Sequence, residues 1–157
     1  MPVLGIDVGN CGAIALIDDD GQLVEVHDTP TLNNGPKGRP TINAPLLAEL
    51  IAKTHIDIIY VEYVGPRPGE GAVGAFAFGR AKGIIEGIAA GLNIPVKFIT
   101  APTWKRVIGI PPGKDGVKNM ARGEAIRRWP GRAELFKLQK HDGRAEACLI
   151  AVAGRTL

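Results

Sequence analysis

At 157 residues and 16.6 kDa, with 45% apolar and 22% charged residues, the chain has the size and make-up of one globular domain, residues 1–157, with a core of its own. No apolar run reaches the roughly 18 residues of a membrane span, and Asp7 follows the N-terminus with no basic segment ahead of it, which argues against a secretory signal. The net charge of +3 divides unevenly: residues 1–62 hold 3 Lys/Arg against 9 Asp/Glu and residues 63–157 hold 16 against 7, so the second half either binds a polyanion or presents a solvated basic face.

Residues 3–8 are an apolar run ending in Gly9-Asn10, the pattern of a buried strand that turns. Residues 12–17 predict a second strand, stopped by the Asp-rich turn at 18–21, and the alternating residues 22–27 predict a third. Three strands in such close succession make an antiparallel meander. Pro30, Asn33, Asn34, Gly35, Pro36, Gly38 and Pro40 predict a loop, until a helix begins near Asn43 with Pro45 in its first turn and Leu46, Leu47, Leu50 and Ile51 at helical spacing. The run IDIIYVEY at 56–63 predicts a central strand buried on both faces, with Glu62 at its far end. A Pro/Gly loop follows at 64–71, then a long helix over 72–92, a strand over 95–99, a helix over 103–110, a basic helix over 117–129 and an apolar helix over 142–153. The sum is an α/β domain: a mixed five-stranded sheet, with an antiparallel meander and parallel strands, covered by helices.

The long helix carries Gly79, Gly83, Gly87 and Gly91, one every four residues, each costing up to roughly 1 kcal/mol of helix propensity against Ala. A stripe of missing side chains lets another backbone approach, either from the protein's own sheet or from a second subunit. Cys11 and Cys148 lack metal-ligand spacing and sit among apolar residues, so both are expected reduced and buried, as in a cytoplasmic protein.

Four acids stand out by position. Asp7 and Glu62 lie in apolar strands, where an ionised carboxylate is costly unless paired or bound to a metal. Asp142 and Glu146 lie four apart at the start of an apolar helix and share one face. Taken singly, Asp7 could be satisfied by backbone amides and Asp142 could be a helix cap. As a set, oxygen-only ligands suit Mg²⁺ or Mn²⁺ rather than zinc, and two such ions about 4 Å apart could clamp a phosphodiester undergoing in-line displacement. Between these acids in sequence run Lys105, Arg106, Lys114, Lys118, Arg122, Arg127, Arg128 and Arg132. Lys118 opens the basic helix, where the helix N-terminus adds its own attraction for phosphate.

LGIDVGNCGAIALID (4–18), YVEYV (60–64), FGRAKGII (78–85), WKRVIGI (104–110), KDGVKNM (114–120) and HDGRAEACLIA (141–151) together resemble the RuvC family of Holliday junction resolvases, of the RNase H-like (retroviral integrase-like) superfamily, in its phage or prophage version. The resemblance covers nearly the whole chain, in order. It implies an RNase H-like fold, a homodimer, two Mg²⁺ per site (Mn²⁺ substituting) and paired nicks across a branched DNA. It puts Asp7 between the metals, with Glu62, Asp142 and Glu146 completing the shell. Lys105 and Lys114 match lysines near the DNA backbone, and Arg67 and Arg122 join Lys118 as further DNA-contact candidates. Departures are visible too. The family usually spaces its last two acids three apart, whereas Gly143 stands three before Glu146 and Asp142 four before; His141 is an auxiliary candidate beside it. Where bacterial relatives carry an aromatic wedge after the second acid, this chain has Val64-Gly65-Pro66-Arg67, with Tyr63 the available substitute. A junction-binding protein without catalysis is the alternative that the altered spacing supports. A nucleotide cofactor is not expected, because the chain has no P-loop pattern and is too short for a two-lobed kinase or ATPase.

Overall fold

A computed structural model describes residues 1–112 and 117–157, with the side chains at 117 and 118 excepted. Strands β1 (Val3–Asp7), β2 (Ala13–Ile17) and β3 (Leu23–Asp28) form the expected antiparallel meander. A small antiparallel pair, β4 (Thr31–Leu32) and β5 (Thr41–Ile42), follows, then helix α1 (Ala44–Ala52). Strand β6 (Ile58–Tyr63), helix α2 (Ala72–Gly91) and strand β7 (Val96–Thr100) complete the sheet. Helices α3 (Ala101–Ile108), α4 (Val117–Arg128) and α5 (Asp142–Thr156) close the chain, with short 3₁₀ turns between α4 and α5.

The main sheet runs β3-β2-β1-β6-β7, with β1, β6 and β7 parallel. Strand alternation divides the core in two. Leu4, Ile6, Ile14, Leu16, Ile59 and Val61 face α1 and α2, while Val3, Ala13, Ala15, Ile17 and Tyr60 face α3, α4 and α5. With a period of two, Asp7 and Glu62 fall on the α5 side. The parallel register sets Val3 beside Ile58 and Gly5 beside Tyr60, so its next step aligns Asp7 with Glu62.

Local signals behave as their chemistry requires. The Asn43 side chain accepts from the Leu46 N–H at 3.2 Å and caps α1. Pro102 sits in the first turn of α3, and Gly109 ends that helix at φ 91°, in the left-handed region glycine favours.

Three expectations are corrected. The segment over 29–45 is not all loop: β4 and β5 pair, because the Gly35–Arg39 backbone closes a tight turn between them (Gly35 N–H to Arg39 O, 2.9 Å). Cys11 is exposed on the β1–β2 turn, while Cys148 is buried, with its thiol pKa pushed up by desolvation. The glycines of α2 do not pack on the protein's own sheet. Ala81, Ile85 and Ala89 do, two residues out of step and so roughly 200° round the helix. A Cβ at Gly79, Gly83, Gly87 or Gly91 would meet no described atom within 4 Å. No helix among the described residues is long and apolar enough to cross a membrane.

Helix α5 lies against β1 and β2 almost without a gap. A Cβ on Gly5 would come within 2.1 Å of the Ala147 carbonyl oxygen and 2.7 Å of the Ala151 nitrogen. Gly5→Ala is therefore expected to lift α5 off the sheet and cost at least about 2 kcal/mol, read as a lower urea midpoint. An unchanged midpoint would mean that the helix can slide aside freely.

Candidate metal centre

The carboxyl ends of the parallel strands β1 and β6 carry Asp7 and Glu62 side by side, the end where open α/β sheets place their ligands. The first turns of α5 cross above them. Gly143 permits this, since a Cβ there would stand 2.6 Å from the Cys11 carbonyl oxygen and 3.2 Å from Asp7 Oδ2. One turn further on, Glu146 completes a cluster in which one oxygen from each of Asp7, Glu62 and Glu146 lies within 4.8 Å of the other two. All three are half-buried. Three like charges so close repel one another, and a cation among them reverses the sign of that energy. An all-carboxylate oxygen set fits a hard divalent cation, so these residues could hold a metal ion.

Glu62 is held from behind. The indole Nε1 of the wholly buried Trp104 donates to Glu62 Oε1 at 2.8 Å. A buried indole N–H needs an acceptor, and the carboxylate supplies it while its other oxygen keeps its freedom to bind. Sequence reading missed this role. The signal was available only as a tryptophan next to Lys105, with nothing local to join it to a residue 42 positions earlier.

The cluster floors a cleft of about 630 Å³, whose lining includes Asp142, Arg67, Lys105, Lys140 and Cys11. Asp142 shares this cleft but stands outside the three-carboxylate cluster; its Oδ1 lies 2.8 Å from Arg122 Nε, with both side chains largely covered. Arg122 is thus engaged by other groups of the protein. Its Nη1 donates to the Lys137 carbonyl at 3.2 Å and its Nη2 to the Asn119 side chain, so the guanidinium ties α4 to the start of α5. Lys140, passed over in the sequence, borders the cleft because it precedes α5 directly.

Tyr63 does not line the cleft. Strand alternation sends it to the sheet face opposite Glu62, where it meets Phe98 edge-on at 6.3 Å under the Lys82 ammonium. His141 is buried, its Nδ1 accepting the Leu138 N–H at 3.3 Å, and it is not part of the cleft wall. Lys114 lies outside the described residues, as does the side chain of Lys118. Beyond the cleft, Arg144 of α5 holds both oxygens of Asp28 at 2.7 and 2.8 Å, fastening the helix to β3, and this bond holds the Asp28 carboxyl below its usual range.

No family model matches the chain. It is similar to the Holliday junction resolvase MOC1, chloroplastic, of Chlamydomonas reinhardtii, with 29% identity over 92 residues; that match takes in 59% of this chain and 10% of the relative's length. Among solved structures it resembles T. thermophilus RuvC in complex with a Holliday junction substrate, with TM-score 0.68, 18% identity and coverage of 99% of this chain and 95% of that one. A second Thermus thermophilus RuvC structure gives TM-score 0.61 at 20% identity, over 99% and 96% of the two chains. The chain therefore has the RuvC fold, and the RNase H-like architecture expected from the sequence is borne out.

Two outcomes follow from this geometry. Trp104→Phe keeps most of the buried ring but removes the donor, and is expected to weaken Mn²⁺ binding about 10- to 100-fold by calorimetric titration with little loss of fold. An unaltered affinity would make the indole contact purely structural. The second concerns pH. Burial first, then the Arg144 and Lys140 charges, hold His141 below the usual imidazole range, with Asp28 opposing. The unfolded chain therefore takes up this proton first, so the His141 contribution to stability is intact above about pH 6.5 and is lost as pH falls through the folded value. The urea midpoint of the wild type should drop more between pH 7 and pH 5 than that of His141→Gln; equal drops would take His141 out of the acid response.

Proposed function

We propose that this chain is a metal-dependent endodeoxyribonuclease that acts on four-way or related branched DNA, working as a homodimer in the cytoplasm. The observation that carries the reading is the convergence of Asp7, Glu62 and Glu146 within 4.8 Å in a cleft edged by Arg67, Lys105 and Lys140. Acids at the floor and bases at the rim suit a phosphodiester, whose charge the bases attract while the acids hold the counter-ion that lets it approach. The fold adds support, being shared with a protein solved on a Holliday junction substrate.

In this reading Asp7, Glu62 and Glu146 hold the first of two Mg²⁺ ions, with Mn²⁺ substituting, and Asp142 completes the shell. Bound there, the cations would supply Lewis-acid stabilisation of charge developing on the phosphate oxygens. Trp104 keeps Glu62 in place. Lys105 and Arg67 hold the strand so that the scissile phosphate lies over the acids, and Lys114 and Lys118 belong to the same DNA-contact set. Hydrolysis breaks the P–O3′ bond and leaves a 5′-phosphate and a 3′-hydroxyl. The exposed glycine face of α2, with Phe76 and Val73 exposed near its start, suits a second subunit, whose symmetry would present two clefts to a two-fold junction.

One observation favours a second reading, a junction-binding protein with little or no catalysis: Asp142 is engaged by Arg122 and lies outside the carboxylate cluster. The same experiment separates the two. A labelled four-way junction, a flap and a linear duplex are incubated with Mg²⁺, Mn²⁺ or EDTA, beside Asp7→Asn. Symmetric, metal-dependent nicks confined to the junction, lost by at least about 1,000-fold in Asp7→Asn while binding persists, are the expected result. Nicking that survives in that variant would overturn the metal assignment, and binding without nicks at any metal concentration would favour the second reading.

A further inference from the structure

We infer that the β4–β5 hairpin is a second DNA contact, an arm that grips the sugar–phosphate backbone through Lys37 and Arg39 beside the acidic cleft. This rests on the nuclease reading above and adds a surface that the cleft does not include. The first 62 residues hold only 3 Lys/Arg against 9 Asp/Glu, and two of those 3 cations stand at this hairpin's tip. Residues 31–42 contain no acid at all.

The tip is a built structure. Gly35 N–H donates to the Arg39 carbonyl at 2.9 Å, Gly38 N–H to Gly35 O at 3.0 Å and Arg39 N–H to Pro36 O at 3.2 Å, while the Thr41 hydroxyl bonds the Asn34 side chain. Within this turn Lys37 is held at φ 55°, a left-handed conformation that a non-glycine residue adopts only under constraint. Both Lys37 and Arg39 are exposed, and neither makes an ion pair among the described residues. Other cations of the chain are committed: Arg122 to Asp142, Arg127 and Arg128 to Glu124, Arg144 to Asp28.

The arm is also fastened to the site. Asn10, on the β1–β2 turn that lines the acid cleft, donates from Nδ2 to the Pro40 carbonyl at 2.7 Å. The Asn43 N–H donates to the Pro30 carbonyl at 2.8 Å and closes the hairpin's base. Pro40, Thr41 and Ile42 of the hairpin share the lining of a small cavity with Asn10 and with Ala77, Ala81 and the exposed Arg80 of α2. Lys37 is three residues from Pro40, hence at most about 10 Å of chain from the anchored carbonyl. That is about the rise of three base pairs along a duplex axis. A strand running over the acids would meet the arm as it leaves the cleft.

The test is the salt dependence of binding to a four-way junction, measured by fluorescence anisotropy in EDTA so that nothing is cut. Wild type, Lys37→Ala/Arg39→Ala and a control, Lys53→Ala, which removes an exposed cation paired with Glu49, are compared after thermal melts establish equal folding. Each lost phosphate contact lowers the slope of log K against log salt by about 0.9. The double variant should lose between about 1 and 2 units of slope and bind about tenfold or more weakly at 0.1 M salt, while Lys53→Ala stays at wild type. If the double variant keeps the wild-type slope, or Lys53→Ala loses as much per charge, the arm is no contact and the nuclease reading stands. If the wild type itself shows no junction binding, both readings fall together.

Discussion

Helix α5 rests directly on the middle of β1 and on the β1–β2 turn, backbone against backbone, because Gly5 and Gly143 offer nothing to hold them apart. That contact sets the depth of everything above it. A helix on a sheet ordinarily stands about 10 Å away, kept there by intervening side chains. At that distance Glu146 could not join two carboxylates borne on strands. The close approach is itself stabilised around its rim: Arg144 reaches Asp28 on β3, Arg122 reaches Asp142, and a Cβ at Gly154 would lie within 2.3 Å of the Tyr60 ring on β6. The helix that carries the last acid is thus also the helix around which one of the two cores is packed.

Folding these acids together opposes the Coulombic preference of each to stay apart, and the structure answers with anchoring. The Trp104 indole fixes Glu62 from a position with no solvent access, and the register between β1 and β6 fixes Asp7 beside it. The price falls on the apolar packing of α3, α4 and α5, which must be large enough to hold a repulsive cluster ready for its cation. A preorganised set of this kind gains more affinity per ligand than one assembled on binding, since less ordering entropy is lost at that moment.

Much of this was legible in the chain itself. Hydrophobic periodicity marked the strands of the main sheet and the long helices, and acids embedded in apolar strands marked Asp7 and Glu62, because burial of a charge is costly enough to demand a reason. Glu146 was visible for another cause, its place one turn from Asp142 on the same face at the start of an apolar helix. Less visible were features that depend on long-range geometry. Whether the α2 glycines look inward or outward is decided by their phase against Ala81, Ile85 and Ala89 once the helix is docked. Tyr63 and Glu62 are adjacent in sequence yet fall on opposite sheet faces, a separation that only the strand's pairing in the sheet decides. A two-residue strand such as β4 has too little pattern to announce itself among prolines and glycines.

The basic half of the chain shows why charge counts alone carry limited information. Arg122, Arg127, Arg128, Arg132 and Arg144 were indistinguishable by composition from cations meant for a polyanion, yet Arg122, Arg132 and Arg144 tie elements of the fold together and Arg127 and Arg128 pair within α4. Arg132 donates from Nη2 to the carbonyls of Leu23 and Val24 on the edge strand β3, fastening the turn after α4 to the sheet. Arg127 and Arg128 share Glu124. Outside such pairs stand, among others, Lys105, Arg67 and Lys140 at the cleft and Lys37 and Arg39 at the hairpin, cations drawn from both halves of the chain. The uneven charge along the sequence is therefore undone in space: the acidic half supplies Asp7 and Glu62 and the basic half Glu146, while Arg122, Arg132 and Arg144 of the basic half hold together the elements that bring them near.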